Sequence, residues 1–213
     1  MYEEQKRFIG NASHELQTPL AVCSNRLELL VDNTQLDDYQ LSEIEKTLET
    51  LNYISRLNKS LLPLTKIENQ QFKEEVEVDL GQIARQSLEN LGEIYESLNV
   101  KVTISEDKPL VVSMDSTLAS SLVNNLMKNA YVHNHAGGTI VVSITENRLS
   151  IGNSGSSAPL NPIAVFDTFY KKGENANSSG LGLAITKAIC NRYDFSISYQ
   201  FIDNHHIFIL KTK

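Results

Sequence analysis

Two folds in series are predicted: a long helical hairpin over residues 1–69 that pairs with a second copy into a four-helix bundle, then an α/β sandwich over residues 79–213. Residues 70–78, short and charged, read as the linker between them. Three observations carry this. Apolar residues recur every three or four positions through two stretches of about thirty residues. Beyond residue 79, short β-rich runs alternate with helical ones. Between the last hairpin and the last helix lies a long stretch rich in Ser, Asn and Gly, residues 154–179, the composition of a lid.

The first helix is read from Phe8, Ala12, Leu16, Leu20, Cys23, Leu27 and Leu30. A polar break at residues 32–35 ends it, and Leu41, Ile44, Leu48, Leu51, Ile54, Leu57, Leu61 and Leu64 restart the spacing as far as Asn69. Each helix would be about 45 Å long. A lone hairpin of that length leaves half its apolar stripe wet, so a dimer is expected. Pro63 inside the second pattern predicts a kink.

In the second part, residues 80–98 have helical period, and residues 100–105 and 110–113 read as strands. Asp115 is the expected N-cap of a helix reaching Asn134. Residues 139–153 form a hairpin about Glu146 and Asn147, a further helix covers residues 181–193, and strands at 195–201 and 207–211 close the chain. One mixed sheet covered by helices is expected. His205 and His206 then fall in a solvated turn, and Cys23 and Cys190 read as small hydrophobes.

Composition narrows the function. With 19 Lys+Arg against 26 Asp+Glu the net charge is −7, which disfavours a nucleic-acid partner. Two distant cysteines without CxxC spacing suggest neither a disulfide framework nor a zinc site. No run approaches the length of a membrane span, and the opening residues are charged where a signal peptide is apolar.

Chemistry concentrates in FIGNASHELQTPL, residues 8–20. His14 lies about 200° round the helix from Ala12, hence away from the stripe and open to a visiting partner. Glu15 can accept the imidazole proton and leave the other ring nitrogen nucleophilic. Thr18, one turn on, can orient a water near the same atom. Farther along, Asn125 and Asn129 are four apart on one helical face, a spacing that suits two amide oxygens to one hydrated Mg²⁺ and its phosphates. In SSGLGLAITKAI, Gly180, Leu181 and Gly182 precede a helix whose open N-terminal amides suit phosphate.

The thirteen residues 8–20 resemble the H-box of sensor histidine kinases of two-component signalling. The resemblance implies that His14 is the phospho-acceptor, that Glu15 assists phosphotransfer, and that Thr18 supports dephosphorylation of a response-regulator receiver domain. The Asn125 to Asn129 helix is similar to the N-box, and residues 178–189 are similar to the G2 box, with Ser178 at the usual first glycine. VFDTFYKKG resembles the F-box through Phe166, Phe169 and Tyr170, and puts Lys171 or Lys172 within reach of a γ-phosphate. The second part then has the GHKL-type ATP-binding sandwich, with ATP and Mg²⁺ as cofactors.

Three positions depart from the pattern. Asn153, in Asn153-Ser154-Gly155-Ser156-Ser157, replaces the acid that contacts adenine; Val132 replaces a basic residue; His133 stands where an aromatic is usual. A neutral acceptor is worth roughly 1 kcal/mol less than a charged one, so ATP binding is expected to be weak, and Asn153→Asp to tighten it. Asn153, Val132 and Ser178 motivate an alternative, a pseudokinase scaffold that binds a regulator without turning over ATP. A gyrase-type ATP-operated clamp would need an acid in the N-box helix, where this chain has amides. Any sensor or membrane anchor is expected upstream of residue 1, which would make this the cytoplasmic portion of an inner-membrane sensor.

Overall fold

The computed structural model describes residues 2–68, 75–170 and 180–213, with side chains described for residues 16–32, 34–55, 57–58, 67, 75–170 and 180–213. The chain divides into two compact units, the first built on a helical hairpin and the second on the elements that follow it. No described helix is long and apolar enough to cross a membrane.

In the hairpin, α1 (Tyr2–Asn33) and α2 (Asp38–Glu68) pack against each other. The connection is closed by a capping box. The Gln40 amide donates to Asp37 Oδ1 at 2.7 Å, and the Asp37 amide donates to Gln40 Oε1 at 3.1 Å, so each side chain covers a donor the helix start leaves over. Helix α1 continues through Pro19, and α2 extends past position 63. Leu16, Val22, Leu29, Leu30 and Val31 of α1 and Ile54 of α2 are exposed in the single chain. These side chains leave apolar surface exposed on the single hairpin.

The second unit comprises β1 (Val76–Asp79), α3 (Leu80–Ile94), β2 (Lys101–Glu106), β3 (Val111–Met114), α4 (Ser116–Val132), β4 (Thr139–Thr145), β5 (Arg148–Ser154), α5 (Gly182–Arg192), β6 (Ser196–Ile202) and β7 (His205–Lys211). Its strands form two sheets where one was expected. Strands β1 and β3 pair antiparallel by themselves, and the main sheet runs β2-β4-β5-β7-β6, parallel only between β2 and β4. Strand β1 also shortens the linker expected over residues 70–78. Its charge concealed the alternation of Val76 and Val78 with Glu77 and Asp79, which is a strand pattern.

Both expected helix starts are capped by aspartate. Asp79 Oδ1 accepts from the Gly81 amide at 2.8 Å, and Asp115 Oδ1 accepts from the Thr117 and Leu118 amides at 2.9 and 3.1 Å. Asp115→Ala is expected to cost about 1 kcal/mol in urea unfolding, because two orphan donors at the head of α4 lose their acceptor.

Register defines the two faces of the main sheet. Ile140, Val142 and Ile144 of β4 pair with Asn153, Ile151 and Leu149 of β5, which pair in turn with His206, Phe208 and Leu210 of β7. Ile197, Tyr199 and Phe201 of β6 complete the row. Most of these side chains are buried, under the helices packed on the sheet, and they form the core with Leu118, Leu122, Leu126 and Ile189. Cys190 is buried there as well, and desolvation lifts its thiol pKa to about 12, so it is an inert hydrophobe; Cys23 of α1 is exposed.

The β6–β7 turn corrects one reading. It consists of Asp203 and Asn204, both with positive φ, while His205 and His206 belong to β7. His206 is 5% exposed, on the core face, and is no solvated turn residue.

Candidate functional site

One end of the core-facing side of the sheet carries polar groups where the rest is apolar. Asn153 of β5 and His206 of β7 are register partners there, and both are buried. The residue after Asn153's neighbour, Gly155, lies between the end of α4 and β7. A Cβ built on it would come within 2.7 Å of the His133 carbonyl and 3.1 Å of the His206 ring, so only glycine fits this turn.

Helix α4 supplies the opposite wall. Asn125, Asn129 and His133 follow one another at intervals of four, and the Asn125 and Asn129 side chains are half-buried. Among the described residues the Asn125 Nδ2 atom is buried without a hydrogen-bond partner. A Cβ on Gly182, the first residue of α5, would sit 3.8 Å from the Asn125 carboxamide. The start of α5 therefore faces Asn125 of α4. Gly180 has φ of +69°, a conformation that side chains rarely adopt, and Leu181 is fully buried.

This arrangement fits a polyphosphate. An orphaned amide donor, a helix N-terminus and a neighbouring amide-bearing turn in one unit lack only acceptor oxygens. For a metal the fit is narrower. No group of three or more His, Cys, Asp or Glu that could hold an ion exists among the described residues, so Asn125 and Asn129 suit Mg²⁺ only as partial donors beside phosphate oxygens.

His133 contributes no cation. Desolvation, and after it the neighbouring His206 ring, hold its pKa below the usual imidazole value. Its carbonyl does the structural work, accepting from Asn153 Nδ2 at 3.4 Å, while the same nitrogen donates to the Ser154 carbonyl at 2.9 Å. These bonds reverse the expectation for Asn153→Asp. A carboxylate would present an acceptor to two carbonyl oxygens in a buried position, at a cost of about 1–3 kcal/mol. Calorimetric titration is expected to show looser ATP binding, and urea unfolding a lower stability; tighter binding would show that the amide is only a weaker acceptor.

Around the turn, Ser154 Oγ accepts from the Thr139 amide at 2.7 Å and donates to Asn134 Oδ1 at 2.8 Å, which ties β4, β5 and the loop after α4 together. Of the aromatics read as a lid anchor, Phe166 packs edge-on against Phe208 at 6.2 Å, and Tyr170 Oη accepts from the Asn161 amide at 3.3 Å. Phe169 is 53% exposed with positive φ and anchors nothing on the sheet. Of the stretch expected to be a lid, residues 154–170 are described and touch the sheet through Phe166, and residues 171–179 lie outside the described residues. Lys171, Lys172 and Ser178 lie outside the described residues.

In the hairpin, His14, Glu15 and Thr18 stand in α1, with Thr18 exposed; the side chains of His14 and Glu15 lie outside the described residues. His206 and Tyr199, by contrast, belong to the neighbourhood of the site and were not singled out from sequence. Extending the period-two pattern of Phe208 and Leu210 back by one step would have placed His206 inside.

Two family descriptions match the chain: "His Kinase A (phospho-acceptor) domain" over residues 4–70, and "Histidine kinase-, DNA gyrase B-, and HSP90-like ATPase" over residues 114–207. The chain belongs to the sensor histidine kinases, as the core of a two-component kinase with an ATP-binding domain of the histidine kinase, gyrase and HSP90 type. Among its relatives, the sensor protein CutS of Streptomyces coelicolor is 32% identical over 93% of this chain and 50% of its own length. The heme sensor protein HssS of Staphylococcus saprophyticus is 29% identical over 87% of this chain and 41% of its own. The chain thus spans half or less of these relatives. Among solved structures, histidine kinase ThkA in complex with response regulator protein TrrA superposes with a TM-score of 0.63, at 22% identity, over 97% of this chain and 60% of that one.

Proposed function

We propose that this chain autophosphorylates His14 from ATP, passes the phosphoryl group to an aspartate of a response-regulator receiver domain, and also removes phosphate from that partner. The observation that carries the ATP site is the meeting of the Asn125 and Asn129 row with the start of α5 at the orphaned Asn125 amide. In the transfer, a bond forms between an imidazole nitrogen of His14 and the γ-phosphorus. The bond from that phosphorus to the bridging oxygen breaks, ADP leaves, and Glu15 takes the imidazole proton. Asn129 and Asn125, together with the nucleotide's phosphates, would hold Mg²⁺, which supplies charge neutralisation at the transferring group. Residues 1–69 act as the dimerisation and acceptor part and residues 79–213 as the catalytic part. The exposed apolar residues of α1 support a homodimer, and the ThkA complex supports a receiver-domain partner.

The decisive test is incubation of the protein with Mg²⁺ and γ-labelled ATP, with the label followed to His14. Asn129→Asp adds a negative charge beside the polyphosphate and is expected to slow labelling by about 10² or more, the scale of a misplaced positioning group; unchanged kinetics would remove Asn129 from the site. The amide at Asn153 favours a second reading, a scaffold that binds the regulator without turnover. Failure of any label to appear, with ATP bound, would select it. The lengths of the relatives support a longer protein, in which this part is the cytoplasmic portion of an inner-membrane sensor.

A further inference from the structure

His206 is buried between β6 and the segment that follows β5. The Leu160 amide donates to Tyr199 Oη at 3.1 Å, and Tyr199 Oη lies 2.8 Å from His206 Nδ1. On its other side His206 Nε2 lies 2.8 Å from the Ser156 carbonyl. A carbonyl only accepts, so Nε2 carries the proton, Nδ1 is the acceptor, and the Tyr199 hydroxyl donates to it. The Tyr199 and Phe201 rings pack beside the imidazole at centroid distances of 5.9 and 4.9 Å. One neutral tautomer satisfies every group in the chain from Leu160 to Ser156.

We propose that His206 is a positioning residue for nucleotide binding, which through its Nε2–H holds the turn of residues 155–157 in place. The proposal rests on the reading of this end of the sheet as the nucleotide site. Its logic is local. The Asn153 to Gly155 segment is fastened from one side by the His133 carbonyl and continues directly into Ser156, whose carbonyl is held by His206.

The test uses the whole chain, ATP as the probe, and wild type beside His206→Gln and His206→Leu. Gln keeps a donor that reaches toward Ser156; Leu keeps only bulk. ATP affinity is measured by calorimetry. His206→Leu is expected to bind about tenfold more weakly than wild type, and His206→Gln to recover most of that loss. Nitrogen-15 spectra without nucleotide are expected to show Nε2–H on His206, with the amide signals of residues 155–157 displaced in His206→Leu and close to their wild-type positions in His206→Gln. Equal affinity of wild type and His206→Leu, or a proton on Nδ1 in place of Nε2, would overturn the role of His206. Absence of ATP binding to wild type would instead overturn the nucleotide site itself.

Discussion

His14→Gln is expected to take up no label from ATP, while its affinity for ATP stays that of wild type. The two halves of that result have separate causes. Glutamine matches imidazole in reach, but its amide nitrogen has no free lone pair, so no bond to phosphorus forms and labelling falls by the full catalytic factor. The groups proposed to hold the nucleotide, Asn125, Asn129, Asn153 and the start of α5, all belong to the second unit, whereas His14 lies in α1 of the first. Calorimetry with ATP and label transfer on the same preparation test both halves. Equal labelling of the variant would move the acceptor to another residue. Loss of ATP binding would mean that the hairpin contributes to the nucleotide site.

What the sequence disclosed and what it concealed divide along the range of the interactions involved. Helices α1 and α2 were legible because three-and-four spacing over about thirty residues is a local signal repeated many times. Asp115 and the turn at Glu146 and Asn147 were legible because caps and hairpin turns are decided within a few residues. Strand β1 was not, because its partner β3 lies some thirty-five residues away, and pairing at that distance leaves no mark in a charged tetrapeptide. The amides of Asn125 and Asn129 could be placed on one helix face in advance, but the meeting with Gly182 depends on how α4 and α5 pack. Asn153 shows the sharpest limit. Read alone it is an acid reduced to a weak acceptor; in the fold its nitrogen donates to two carbonyls, and substitution by the acid changes from a repair into a fault. His206 failed for the opposite reason, since strand alternation did place it inside, and two adjacent polar residues outweighed that pattern.

Thr18→Ala is expected to separate two activities that share one helix. Thr18 is exposed on α1, one turn beyond His14, so its hydroxyl can reach a water near the same partner surface. The proposed autophosphorylation uses the imidazole as nucleophile and Glu15 as proton acceptor, and neither is altered, so labelling of His14 is expected to stay close to wild type. Dephosphorylation of the regulator needs instead a water aligned on the phospho-aspartate, where the new oxygen–phosphorus bond forms as the acyl phosphate oxygen departs. Without a hydroxyl to hold that water the step loses its orientation and is expected to slow by about 10² or more. Because Thr18 is on the surface, alanine removes no buried contact, and alanine's higher helix propensity keeps α1 intact. Purified phospho-regulator and labelled ATP allow both rates to be timed on one sample. A variant that clears phosphate at the wild-type rate would remove Thr18 from the reaction. A variant that is folded and dimeric yet fails to label His14 would show that this hydroxyl serves the forward transfer, with Thr18 assisting His14 itself in place of the partner's water.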